Sequence, residues 1–488
     1  MATALPRIDV PLTLEEVARQ TGGTLRGDPS LRLVGLGTDT RALHPGALFV
    51  ALRGERFDAH DHLDAAMRSG AAALLVRAGA AVPEGAPCVF VPDTLAALGR
   101  IAREHALSVR RAAKAARPAG IPVVAISGAV GKTTTKELTA AALAAATKGR
   151  CHATVGNLNN LVGAPFTLLG LSTDDTAMVV ECGSNGHGEI ARIGEMTRPD
   201  VSMCMNADAA HTEGLGSIDA VADEEGSIFA FASRAVVANA DEPRSRARTD
   251  RAPAGCARWL FGVAAESHVR LVSRTLLDDC RARLRFAVSP ELCPDVGEIE
   301  VESPLLGAAV ACNIAAALCA TAATGVDAEG LRAAAKAIES VKAVPGRLVL
   351  RELPSGTRVI DDTYNASPRA VRAALEAASE IAEVHGSRLV VALGDMLELG
   401  SLSEEEHLLA VDRVCDAGAT VLVAVGAEMT LAASHAQLRG LDVHLAMNSI
   451  QGAEKLCAAV KPRDVVLVKG SRGMRMERCV EALAEVTR

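Results

Sequence analysis

The chain has 488 residues, too many for one hydrophobic core, so two to four domains are expected. Hydrophobic residues make up 49% of it, which excludes a disordered chain; aromatic residues make up only 2%, too few for a base-stacking nucleic-acid platform. The formal net charge of −8 excludes a general polyanion binder, so an anionic substrate must be held by local Arg, Lys and backbone N–H groups.

The N-terminal stretch, MATALPRIDVPL, lacks a basic segment followed by an apolar core. The 12 Cys form no CxxC pair and read as reduced thiols of a cytoplasmic protein. A first block runs to about residue 118. It has short apolar runs at 47–52 and 72–76, a helical stretch at 95–109, and a basic, Pro/Gly-terminated segment at 110–120 that reads as a helix end and linker.

A second block, 119–343, opens with the β-rich run 122–127 and continues through a glycine turn into an Ala-rich helix. Further apolar runs at 177–180, 201–205 and 235–238 alternate with helical segments, the pattern of a mostly parallel sheet covered by helices. Alternation over 271–304 predicts an antiparallel insert. The Ala-rich run 308–323 carries Asn313 and Thr321, so it reads as a buried helix rather than a membrane span. A third block, 344–488, has runs at 358–360, 389–393, 421–425 and 464–468 with helices between them, a second, doubly wound α/β unit. The expected fold is α/β with three domains, the central one a parallel-sheet phosphate-loop domain and the last Rossmann-like.

Residues 127–134, SGAVGKTT, stand between a predicted strand and a predicted helix. That context suits a phosphate loop formed by Gly128, Ala129, Val130, Gly131, Lys132, Thr133 and Thr134. Glycines admit close backbone approach, the helix start supplies N–H groups, Lys132 neutralises phosphate oxygens, and a Thr hydroxyl reaches Mg²⁺. The loop falls short of the full GxxxxGK[ST] pattern because Ile126 stands at the first Gly. Glu181 follows the run 177–180, and His211 and Glu213 follow 201–205; strand ends of this kind line the ligand edge of a parallel sheet. Glu181 and His211 are candidates for a Mg²⁺ site there, although Mg²⁺ prefers oxygen and a solvated role is open to both. Asp361, at the end of 358–360, suits a ribose hydroxyl, and Tyr364 a base or substrate face; a plain Asx turn before a helix at Pro368 is the other reading. Arg347 suits a phosphate, and the basic stretch 469–472 a carboxylate; both also fit a solvated loop.

Taken in order, these motifs resemble the Mur ligases, ATP-dependent amide-bond-forming enzymes of bacterial cell-wall synthesis. The resemblance covers nearly the whole chain. It rests on TDTR (38–41), HPGALFVALRG (44–54), SGAVGKTTTKE (127–137), GNLNNLVGAPFTLL (156–169), VECGSNGHGEI (180–190), AHTEGLGS (210–217), PGR (345–347), DDTYNASP (361–368), LGDMLELG (393–400) and LVKGSRGMRME (467–477). The double-Asn form of 156–169 is similar to members that add D-alanyl-D-alanine to a UDP-N-acetylmuramoyl-tripeptide. The resemblance implies a UDP-substrate domain at 1–118, an ATPase domain at 119–343 and a ligase domain at 344–488, in a monomeric enzyme using ATP and Mg²⁺. It implies an acyl phosphate, formed by the tripeptide carboxylate on the γ-phosphate and then attacked by the dipeptide amine.

By the same resemblance Lys132, Glu181 and His211 are catalytic, and Asn313, Arg347 and Asp361 join the loop in holding nucleotide. Asp39, Thr40, Arg41, Asn159, Asn160, Asp362, Tyr364 and Asn365 hold substrate; Thr133, Glu181, His211 and Glu225 hold metal. The family pattern usually places a carbamylated Lys where Glu225 stands, in AKGE; here the stretch 224–227 is EEGS, and a one-residue shift to Glu224 is an alternative. The family's HNxxN is reduced to Asn313 alone. Besides a working ligase, these departures leave open a non-catalytic binding paralogue or a ligase for another amine.

Overall fold

The computed structural model describes residues 10–54, 57–208 and 212–486. The chain divides into two compact units, one of residues 1–125, 149–183 and 191–199, the other of 126–148, 184–190 and 200–488.

In the first unit, a five-stranded sheet runs in the order Thr24–Arg26, Cys88–Val91, Ala73–Arg77, Leu48–Val50, Leu36–Gly37. Only the first pair is antiparallel. The run expected to be extended at 72–76 is the strand ALLVR, buried at four of its five positions. Such a run suits a strand covered on both faces. The helix Thr94–Ala116 starts where the Asp93 carboxylate accepts hydrogen bonds from the Leu95 and Ala96 N–H groups, and it packs on the short helix Gly163–Leu169. Arg150–Ala153 and Asp175–Glu181 pair in parallel.

In the second unit the strand Val201–Cys204 is flanked in parallel by Ala235–Asn239, then Ala257–Gly262 and Val269–Leu276. Ala282–Val288 and Glu298–Ser303 follow as antiparallel neighbours, the insert expected from alternation over 271–304. The burial of Ala282–Val288 alternates along its length, as a strand with one covered face requires. The helix Ala309–Ala323 is buried at twelve of its fifteen positions. A helix apolar all round belongs inside a domain, where its small side chains allow close packing. No helix among the described residues is long and apolar enough to cross a membrane.

The C-terminal part of this unit is a six-stranded sheet in the order Val349–Glu352, Arg358–Asp362, Val465–Lys469, Leu389–Gly394, Ala419–Val425, Asp442–Ala446. All neighbours but the first pair are parallel. The last strand in sequence, Val465–Lys469, lies between the first two of the parallel run, Arg358–Asp362 and Leu389–Gly394. The strand order therefore reverses there, and loops leaving the carboxyl ends of these strands diverge and open a crevice. Apolar clusters fill both faces of the sheet, one including Ile360, Leu375 and Val391, the other Val359, Val390 and Leu456.

Candidate active site

The turn 128–131 links the strand Val123–Ser127 to the helix Lys132–Ala146. Gly128 and Gly131 have φ of 129° and 90°, both left-handed. A Cβ on Gly128 would lie 2.8 Å from Met205 Cβ and 3.0 Å from Met205 N, so only Gly fits. Asn206 braces the turn from the side: its Oδ1 accepts from Val130 N–H at 2.9 Å, its Nδ2 donates to Val130 C=O at 2.8 Å, and its own C=O accepts from Ala129 N–H at 3.0 Å. Sequence reasoning passed over Asn206. Its place two residues past the end of the strand Val201–Cys204 was the available signal. A helix beginning at such a turn leaves first-turn N–H groups without intrahelical partners, the arrangement that receives an anion. Lys132 Nζ folds back onto the Gly128 carbonyl and lies 3.5 Å from the Ala129 carbonyl. The Asn313 side chain stands beside Gly131, where a Cβ would meet its Oδ1 at 2.9 Å. Loop and Asn313 are thus brought together.

Glu224 and Glu225 end the helix Ile218–Glu225, and both are buried. Their carboxylates go different ways. Glu224 accepts from Gly188 N–H at 2.7 Å and Ile190 N–H at 2.8 Å, which ties down the start of the helix Glu189–Thr197. Glu225 instead faces the loop: Oε2 accepts from Gly128 N–H at 2.7 Å and Oε1 lies 3.9 Å from Lys132 Nζ. The one-residue shift to Glu224 does not describe this geometry. Burial, and next the Glu225 charge, push the neighbouring Cys204 thiol up to about 12. His211 lies outside the described residues. Among the described residues no three His, Cys, Asp or Glu side chains gather as a metal-ligating group. Thr133, buried in the first turn, is an oxygen donor of the kind Mg²⁺ takes beside nucleotide phosphates.

In the first unit, Asn159 Nδ2 donates to Glu181 Oε1 at 2.8 Å, and Asn160 Oδ1 accepts from Val162 and Gly163 N–H at the start of the helix Gly163–Leu169. The two asparagines therefore do separate work, one orienting a buried carboxylate and one capping. Asp39 and Arg41 form an exposed pair at 2.6 Å; hydrogen bonds from Arg41 hold the Asp39 carboxyl below its ordinary range. Thr40 lies between them, partly exposed.

In the C-terminal sheet, Arg358–Asp362 ends in two carboxylates already engaged. Asp361 pairs with Arg351 at 2.9 Å and accepts from the Thr363 hydroxyl at 2.7 Å. Asp362 pairs with Lys469 at 2.5 Å and accepts from Leu348 N–H at 3.1 Å. Lys469 is 1% exposed and also donates to the Asn365 carbonyl at 2.8 Å, so the carboxylate it grips is that of Asp362 and not a ligand's, as its sequence setting had suggested. Arg347 lies over the Tyr364 ring, 4.2 Å from its centre; the ring of Tyr364 therefore carries an arginine. Where the strand order reverses, a solvent-open cleft is lined by Ala129 of the phosphate loop and by Asn365, Ser367, Ser471 and Arg472. Ser367 is the residue before the helix Pro368–Val384, is 9% exposed, and makes no capping bond with its hydroxyl.

Models of known families match three stretches: "Mur ligase family, catalytic domain" over 32–134, "Mur ligase middle domain" over 126–321, and "Mur ligase, glutamate ligase domain" over 346–472. The UDP-N-acetylmuramoyl-tripeptide–D-alanyl-D-alanine ligase of Escherichia coli (strain K12) is 35% identical over 98% of this chain and 99% of its own.

The chain belongs to the Mur ligase family.

A crystal structure of MurF from Acinetobacter baumannii matches this Mur ligase with a TM-score of 0.85 at 26% identity, over 98% of this chain and 100% of that one. MurF of Thermotoga maritima, solved in complex with ADP, matches with a TM-score of 0.75 at 27% identity, over 92% and 97%. The fold is the three-domain α/β architecture of these enzymes.

Proposed function

We propose that this Mur ligase joins D-alanyl-D-alanine to a UDP-N-acetylmuramoyl-tripeptide at the expense of ATP, in peptidoglycan precursor synthesis. The observation that carries the reading is a phosphate loop facing the cleft at the strand-order reversal of the ligase sheet, in a chain similar to MurF enzymes along its whole length. We assign the UDP-substrate domain to 1–118, where Asp39, Thr40 and Arg41 serve the UDP-tripeptide substrate, joined by Asn159 and Asn160 from the next domain. The ATPase domain is 119–343 and the ligase domain 344–488.

The loop residues 128–134, with Asn313, Arg347 and Asp361, receive ATP. Lys132 leaves the loop carbonyls for the phosphate oxygens and offsets charge as the tripeptide carboxylate approaches the γ-phosphate. Thr133 is the donor suited to Mg²⁺, and Glu181 and His211 are the residues proposed for a second ion. When bound, the metal neutralises phosphate charge. The cleft takes the dipeptide: Arg472 and the Ser367 hydroxyl at a helix start suit its terminal carboxylate, leaving its amine toward the loop. Holding amine and acyl phosphate together, away from water, favours amide formation over hydrolysis.

The test is phosphate release by the purified protein with ATP, Mg²⁺ and the tripeptide substrate, with and without D-alanyl-D-alanine. Dipeptide-dependent release together with the pentapeptide product mass is expected. Absence of release would sink the ligase reading in favour of a binding paralogue, and release driven by another amine would change the substrate. A cytoplasmic monomer is proposed, so light scattering should give one chain's mass, 50.4 kDa.

A further inference from the structure

Glu225 is 3% exposed, and a buried carboxylate needs compensating charge or hydrogen bonds. Those named here belong to the phosphate loop: Gly128 N–H at 2.7 Å, and Lys132 Nζ at 3.9 Å from the other oxygen. The helix bearing Glu225 is itself fastened to the loop, because the Ser127 hydroxyl donates to the Glu225 carbonyl at 2.8 Å. The carboxylate thus has a fixed position relative to the lysine. Its two oxygens face an N–H and an ammonium of the loop, which is the setting of a counter-ion to the loop.

Resting on the reading of this loop as the ATP site, we propose that Glu225 is a positioning residue. It is an internal anion that holds Lys132 at the loop entrance, and it competes with nucleotide phosphates for the lysine. A negative charge in this place lowers nucleotide affinity and keeps the lysine ordered on the loop. No covalent modification of the chain is needed to supply it.

The substitution that isolates the charge is Glu225→Gln. It keeps the side-chain shape and an oxygen for Gly128 N–H, and removes the counter-ion of Lys132. With EDTA present, so that no divalent ion contributes, calorimetric titration with ADP is expected to show about 3- to 10-fold tighter binding than in the wild type. In a Lys132→Met background the same substitution is expected to change ADP affinity by less than about two-fold, because the pair it breaks is already gone. Glu225→Asp withdraws the charge by one methylene and should bind ADP about two-fold tighter than wild type. It serves as the second variant if circular dichroism shows that Glu225→Gln does not fold.

Unchanged ADP affinity in the folded variant overturns the proposal. So does an equal gain with and without Lys132, which would mean that the charge acts on the phosphates alone. A change that appears only with Mg²⁺ overturns it as well, by making Glu225 a metal-site residue. A wild type that binds ADP but releases no phosphate would end the ligase reading and leave the ADP comparison standing.

Discussion

Gly128 shows how little freedom the phosphate loop has. Its φ of 129° and the 3.0 Å distance from its hypothetical Cβ to the Met205 backbone leave no cheap relaxation, since the obstacle is main chain just past the strand Val201–Cys204. Gly128→Ala is expected to destabilise the protein by about 2–3 kcal/mol and to abolish ADP binding, seen by thermal unfolding and calorimetry. A substitution that folds and binds ADP normally would mean that the turn is softer than its contacts imply. Glu225 carries the second expectation at this scale. Where the family pattern has a carbamylated lysine, this chain has a carboxylate in its covalent structure. Phosphate release should therefore be the same in bicarbonate-depleted buffer and after bicarbonate is restored; a rise on restoration would refute this. The loop and Glu225 were both visible in the sequence as residue types at a spacing. Which way each carboxylate of 224 and 225 turns was not, because adjacent residues on a helix point about 100° apart and only the packed neighbours decide which one faces the loop.

Strand ends and their loops carry most of the binding chemistry, and two of them are held by buried charge. Asp362, 8% exposed, closes the strand Arg358–Asp362 against Lys469 at the end of the adjacent Val465–Lys469. Asp362→Ala would leave an uncompensated ammonium in the sheet and is expected to cost about 3–5 kcal/mol, measured by urea unfolding. A loss below about 1 kcal/mol would mean that the lysine escapes to water. The pair also explains why stretches 361–365 and 469–472 act together although about a hundred residues separate them: parallel pairing puts their strands side by side. Alternation and apolar runs made these strands legible. The order in which they lie is set by tertiary packing, so the crevice at the reversal, and the place of Ser367 and Arg472 in it, had no local signature. Lys469 shows the limit from the other side. A basic strand end reads as an anion grip until the sheet supplies a neighbouring carboxylate.

Across the described residues the core is built mainly from Ala, Val and Leu, and all 12 thiols are free. Burial pushes Cys151, Cys204, Cys312 and Cys479 from an ordinary 9.0 up to about 12. In the folded chain these groups stay protonated after their unfolded counterparts have ionised. Their contribution to stability is therefore intact below pH 9 and is lost as pH climbs from about 9 toward 12. Urea midpoints taken at rising pH should fall over that window. Thiol reagents at neutral pH should label the buried Cys204 and Cys479 slowly until the protein is denatured, and rapid native labelling of both would contradict the burial.

The amino-acid sequence by itself determined the α/β class, the phosphate loop and the family pattern, because each is written in short-range periodicity or in contiguous residues of fixed chemistry. Tertiary structure alone decided that Asn206 braces the loop, that Asp362 is consumed by Lys469, and that Glu225 rather than Glu224 stands against Lys132. Those outcomes depend on which buried group meets which partner across 76 to 107 residues of chain, and no local pattern encodes such a meeting.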